Sequence, residues 1–210
     1  MNFFNDVIDA TNFKTASYEY QLSFKDLLLK IHDSYLNMKN KEFNLPKNEN
    51  KIRNKLVDDY LSKEIPNYHF KKEEPNNLGR VDIYIIDKFD GSKPHFIIEC
   101  KRLDNNNVNG TEGLNAKYIN DGILRLIREH YIIKNGYYTN AMIGFIIEDL
   151  DIQININSIN NLSKELLKNL VTIKKEISIE DNNIYKSIYK TYNDKYFNIY
   201  HLMLDFSKNI

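Results

Sequence analysis

Three charged residues interrupt two apolar runs that otherwise read as paired strands. The runs are Gly79-Arg80-Val81-Asp82-Ile83-Tyr84-Ile85-Ile86-Asp87 and Pro94-His95-Phe96-Ile97-Ile98-Glu99-Cys100-Lys101-Arg102-Leu103. Asp90, Gly91, Ser92, Lys93 and Pro94 supply the turn chemistry of a hairpin between them. Strand side chains alternate faces, so Glu99 and Lys101 point one way and Cys100 the other. A hairpin brings Asp82 beside Glu99. Two neighbouring carboxylates repel, and both stay ionised when a cation lies between them. Hard oxygen donors favour Mg²⁺ or Mn²⁺, and the Cys100 main-chain carbonyl is a further candidate ligand. Lys101 would then stand beside the metal, where it can orient or help deprotonate a water. Metal-bound water is the stronger acid. A phosphodiester, whose developing negative charge both the metal and Lys101 stabilise, is the matching substrate. The bland alternative is a metal-free salt-bridge cluster of Asp82, Glu99 and Lys101, which rarely gives net stability when buried.

Helices must hold these strands in place. Leu22, Leu28, Leu29, Ile31, Tyr35, Leu36 and Met38 recur at roughly helical spacing from Tyr20 to Met38, which predicts an accessory docking helix within residues 1–46. Residues 47–64 predict a second amphipathic helix, with Ile52, Leu56 and Tyr60 on one stripe, joined by Val57 and Leu61. Asn48 is its expected N-cap, Glu49 falls in the first turn, and Arg53 follows one turn later at the edge of the apolar stripe. An acidic first turn is favourable to any helix, so Glu49 alone proves nothing.

Tyr68-His69-Phe70-Lys71 predicts an edge strand, followed by a polar turn from Glu73 to Asn77. After the hairpin, Asp104 to Thr111 reads as a mobile polar loop. Tyr118 to Tyr131 predicts a helix packed through Tyr118, Ile119, Gly122, Ile123, Leu126 and Ile127. Lys117, Arg125 and Arg128 flank that face, and Asn135-Gly136 marks a turn. The unbroken apolar run Ala141–Ile147 predicts a strand buried on both faces. In the tail, Ile152-Gln153-Ile154-Asn155-Ile156 alternates like a short edge strand. Ile159 to Leu170 reads as a helix, Tyr185 to Tyr192 as another, and Tyr196 to Phe206 as a strand. The whole is a mixed α/β arrangement around a central sheet.

Asp82…Glu99-Cys100-Lys101 resembles the PD-(D/E)xK motif of the restriction-endonuclease-like nuclease superfamily. The resemblance covers about half the chain. It implies an α/β fold with a restriction-endonuclease-like core: helix, three antiparallel strands, helix, then a strand pairing in parallel, within a central mixed sheet flanked by helices. On that reading residues 47–150 are the nuclease core, 1–46 an accessory helical segment and 151–210 an extension packed on the core. Val81 stands where the name-giving motif has Pro, a position often replaced in the family. The resemblance implies Asp82, Glu99 and Lys101 as catalytic residues and Mg²⁺ (or Mn²⁺) as cofactor. Asp82, Glu99, the Cys100 carbonyl and Glu49 would hold the metal. Lys117, Tyr118 and Arg125 on the second core helix, with Arg53, would contact nucleic acid.

Lys+Arg and Asp+Glu balance at 29 each, so bulk charge does not mark a nucleic-acid binder and any basic surface must be local. One cysteine excludes an internal disulfide and fits a reducing, cytoplasmic compartment. Met1-Asn2-Phe3-Phe4-Asn5 is not a signal peptide, and no apolar run approaches the ~20 residues that span a bilayer. Cys100 faces away from Glu99 and reads as a core thiol. His32, His69, His95, His130 and His201 lack metal-ligand spacing, and no Gly-rich phosphate loop occurs. The expectation is a metal-dependent nuclease acting on DNA, with RNA as the other candidate substrate, in bacterial restriction, defence or repair. Specificity would come from a homodimer or a partner subunit. The rivals are a nuclease-fold protein that binds or scaffolds without cutting, and a structural or antitoxin-like interaction protein.

Overall fold

The computed structural model describes residues 10–76, 79–89, 96–128, 139–167, 174–176, 183–190 and 195–210. Its centre is a seven-stranded mixed sheet in the order β1-β2-β3-β4-β7-β6-β5. The strands are β1 (Tyr68–Asn76), β2 (Gly79–Asp87), β3 (Phe96–Leu103), β4 (Thr139–Ile146), β5 (Lys174–Glu176), β6 (Ile184–Lys190) and β7 (Tyr196–Asp205). β1, β2 and β3 pair antiparallel, β3, β4 and β7 run parallel, and β7, β6 and β5 are antiparallel again. β4 is buried along its whole length, as an all-apolar run flanked by parallel neighbours requires.

Helices cover both faces. On one side lie α1 (Ala10–Lys41) and α2 (Glu49–Lys55). α2 continues through a π-helical segment, Leu56–Leu61, into the single turn α3 (Ser62–Glu64). Phe24, Leu27, Leu28, Ile31, Ile52, Leu56 and Val57 from this side pack on Ile83, Ile98, Cys100, Ile143 and Leu202. On the other side lie α4 (Leu114–Tyr118), a π-helical segment Ile119–Ile123, α5 (Leu124–Ile127) and α6 (Ile152–Leu166). Their Tyr118, Ile119, Ile123, Leu126, Ile156, Ile159 and Leu162 pack on Ile97, Leu103, Met142, Ile146, Ile199 and Met203. α1 docks on the sheet: its Tyr35 hydroxyl donates to the Asp205 carbonyl at 3.0 Å, and Phe24 stacks on Phe96 with centroids 4.7 Å apart.

Several local expectations are overturned. Ile152–Ile156 is the first part of α6, not an edge strand. Asp151 caps that helix by accepting from the Ile154 N–H at 2.8 Å, and the helical phase leaves Ile154 in solvent while Ile156, Ile159 and Leu162 are buried. Residues 184–190 form β6, not a helix, because pairing with β7 and burial of Ile184, Ser187 and Tyr189 outweigh local preference. The polar segment from Glu73 to Asn76 extends β1 rather than turning. Within the Asp104–Thr111 loop, Asn105 donates to the Asp149 carbonyl, Asn106 to Glu148, and Asn107 to the Glu112 carbonyl, at 2.7–3.0 Å, which leaves the expectation of mobility untouched. The hairpin turn from Asp90 to Pro94, His95, His130, Asn135-Gly136, residues 168–170 and Tyr192 lie outside the described residues.

Candidate active site

β2 and β3 separate at the residues of interest. Their pairing runs Ile85–Phe96, Tyr84–Ile97 and Ile83–Ile98. Continued, it would set Asp82 opposite Glu99, but there a side chain takes over from the ladder: Asp82 Oδ2 accepts from the Cys100 N–H at 2.9 Å. Groups from both helical layers meet at this opening.

From the α1–α2 side, the Asn48 cap accepts from the Lys51 N–H at 3.0 Å and fixes the start of α2. The Glu49 carboxylate accepts from the Arg102 N–H on β3 at 2.9 Å. One turn on, Arg53 donates to Asp82 Oδ1 at 2.7 Å. From the other side, Arg125 on α5 reaches Glu99 Oε1 at 3.3 Å. Gly122 brings the π-helical segment close over β3: a Cβ there would meet Met142 Cε at 2.3 Å and Lys101 Cγ at 3.7 Å.

Lys101 is the centre of the cluster. Its ammonium donates to Glu99 Oε1 and to the Cys100 carbonyl, each at 2.8 Å, and lies 3.6 Å from Asp82 Oδ2. Glu99 is buried, at 1% side-chain exposure. Burial works to lower the Lys101 pKa, but Glu99 and Asp82 outweigh it and hold the ammonium charged. Burial raises the Glu49 pKa, partly offset by Lys101 and reinforced by Asp82, so the Glu49 carboxylate feels the same site. Burial pushes the Cys100 thiol well up, and its side chain sits in the core beneath α1 and α2, as a core thiol does.

These positions test the ligand set. Among the described residues, no group of three or more His, Cys, Asp or Glu side chains stands ready to hold a metal ion. The convergent oxygens are instead two carboxylates and a main-chain carbonyl, arranged about one cationic group, the Lys101 ammonium. Oxygen donors of this kind are those a hard divalent cation takes, in the place the ammonium now fills. Asp82, Glu99 and the Cys100 carbonyl would hold it, with Glu49 behind.

Four residues were expected to meet nucleic acid, and two of them are placed otherwise. Arg53 is buried, with its guanidinium committed to Asp82, to Glu73 Oε1 at 2.9 Å and to Asn54 Oδ1 at 3.1 Å. Tyr118 is fully buried and its hydroxyl pairs with His201 Nδ1 at 2.9 Å. His201 Nε2 in turn meets the Ser187 hydroxyl at 2.7 Å, and burial holds this histidine neutral, with its pKa pushed down to about 3. Burial likewise pushes the Tyr118 phenol well up. Lys117 and Arg125 are exposed, Arg125 at the mouth of the site. Residue type alone gave no sign that Glu73 and Gly122 belong to the site. Nor did it show that position 53 sits against the Ile52–Leu56–Tyr60 stripe and must be buried; the stripe itself carried that signal. Compared with family models, with curated proteins and with solved structures, the chain matches none.

Proposed function

We propose that the chain is a metal-dependent nuclease that hydrolyses phosphodiester bonds of DNA. The observation that carries this reading is the convergence of Asp82, Glu99 and the Cys100 carbonyl on the Lys101 ammonium where β2 and β3 part. The restriction-endonuclease-like core implied by the motif agrees with the element order α2, β1, β2, β3, α4–α5, β4, with β4 parallel to β3.

A divalent ion held by these oxygens supplies Lewis acidity toward a phosphoryl oxygen and an acidified water. The chain's own residues do the rest. Asp82 and Glu99 would present carboxylate oxygens to that ion. Lys101, displaced toward the opening, keeps its ammonium beside the developing phosphorane charge and the attacking water. Arg125 is the exposed cation nearest the site and meets the scissile strand's phosphate. Lys117 meets the strand further along the same helical face.

A second reading has an observation of its own. The ammonium already satisfies the oxygen set, which suits a nuclease-fold protein that binds nucleic acid or a partner without cutting. Supercoiled and linear duplex DNA, incubated with Mg²⁺ or Mn²⁺ and wild-type protein, Asp82→Ala or Lys101→Ala, separates the two. Metal-dependent cutting that both variants reduce by roughly 10³-fold or more, on the order of transition-state electrostatic losses, supports the nuclease. Absence of cutting together with absence of metal binding leaves the binding protein.

A further inference from the structure

Among the described residues Arg53 is one of the largest fully buried side chains, and its guanidinium is spread across three acceptors on three segments. Nη1 donates to Asp82 Oδ1 at 2.7 Å, Nη2 to Glu73 Oε1 at 2.9 Å, and Nε and Nη2 to Asn54 Oδ1 at 3.2 and 3.1 Å. Glu73 is fixed in turn by Arg80 Nη1 at 3.2 Å.

The β1 backbone leaves the extended region at this contact. The β1–β2 register pairs Lys72 with Ile83 and Glu74 with Val81, so Glu73 is the position opposite Asp82. Glu73 has φ 52°, in the left-handed region that a side-chain-bearing residue adopts at a cost. Strain of this kind persists where the surroundings impose it, and it clusters at functional sites.

We propose that Arg53 is the positioning residue of the site, and that Glu73 is its anchor. Arg53 holds Asp82 Oδ1 while the Cys100 N–H holds Oδ2, so both oxygens of the carboxylate are fixed before a cation arrives. Oδ2, on the Lys101 side, is the oxygen that would face a cation at the Lys101 position. Arg53 touches neither substrate nor reacting atoms. The inference rests on the nuclease reading of Asp82 and Glu99.

Charge and positioning predict opposite signs here. A cation 2.7 Å from the other oxygen of the ligand carboxylate repels a metal, so if only its charge mattered, removing Arg53 would tighten metal binding. As a positioning residue, its removal weakens binding, on the order of the 10–100-fold that loss of a ligand's hydrogen-bond support costs. Arg53→Lys keeps the charge but loses the fork that spans Asp82 and Glu73. Glu73→Gln leaves Arg53 in place with a weaker anchor, and it changes a partly exposed side chain that can still accept a hydrogen bond, so it perturbs folding less than an Arg53 variant does.

The test is calorimetric titration of Mn²⁺ into wild type, Arg53→Lys, Arg53→Met and Glu73→Gln, each checked by thermal unfolding. The expected result is binding by wild type, at least about ten-fold weaker binding by Arg53→Met and Arg53→Lys, and a smaller loss for Glu73→Gln. Folded variants that bind Mn²⁺ as wild type does, or more tightly, overturn the positioning role and leave the nuclease reading standing. Wild type that binds no Mn²⁺ overturns both.

Discussion

The buried Glu99 carboxylate is paired with Lys101 and Arg125. Removing one partner of such a pair leaves an uncompensated charge, a loss on the order of 3–5 kcal/mol. Lys101→Met is therefore expected to lower the unfolding midpoint in the presence of a chelator and to recover part of the loss on adding Mg²⁺; thermal melts with and without metal check this. His201 gives a second residue-scale expectation. Its folded pKa is about 3 and its unfolded value 6.5, so the unfolded chain binds the extra proton. Stability from this group is intact above pH 6.5 and is lost as the pH falls from 6.5 toward 3. At about pH 5 the loss is roughly 2 kcal/mol, from about 1.36 kcal/mol per unit. Denaturant melts at about pH 7 and about pH 5 should show that difference in wild type and a smaller one in His201→Gln.

The two π-helical segments continue the two helices that carry the site residues, and one of them places Gly122 over Lys101. Gly122→Ala has a Cβ that collides with Met142 Cε, a flexible end in a full core, so repacking costs about 1–3 kcal/mol. Cleavage is expected to fall as well, because the added Cβ lies 3.7 Å from the Lys101 stem and the segment over it must shift. Pairing the change with Met142→Val should restore cutting, and plasmid-nicking rates of the single and double variants check it.

At this scale the legibility of the chain is uneven for physical reasons. β2, β3 and β4 were readable because β-branched runs buried in a sheet leave no competing pattern. The α2 cap at Asn48 was readable from local chemistry. Ile152–Ile156 and Ile184–Lys190 were not, because helical and strand periods coincide over so short an alternation, and the deciding contacts are distant: β7 for β6, and the core beneath α4 and α5 for α6. Asp82, Glu99, Lys101 and Glu49 were visible as residue types at a spacing. The role of Arg53 was not, because it depends on Glu73, whose backbone conformation no local sequence pattern announces.

The whole molecule carries balanced charge, 29 basic against 29 acidic residues. No helix among the described residues is long and apolar enough to cross a membrane. If Lys101, Lys117 and Arg125 are the phosphate contacts of the proposed nuclease, a chain without net charge predicts weak duplex binding. The slope of log Kobs against log salt should be about −3, at roughly −0.9 per phosphate contact. Fluorescence anisotropy across a salt series checks this, and a much steeper slope would locate the basic surface elsewhere.

The proposed chemistry turns on one point in space, where two carboxylates and a carbonyl surround the Lys101 ammonium. Titration of Mn²⁺ into Lys101→Ala beside wild type tests that point. If these oxygens are a metal site that the ammonium fills, the variant binds Mn²⁺ at least as tightly as wild type, its competitor gone. A folded Lys101→Ala protein that binds no Mn²⁺ would contradict the metal site and leave the cluster a salt bridge.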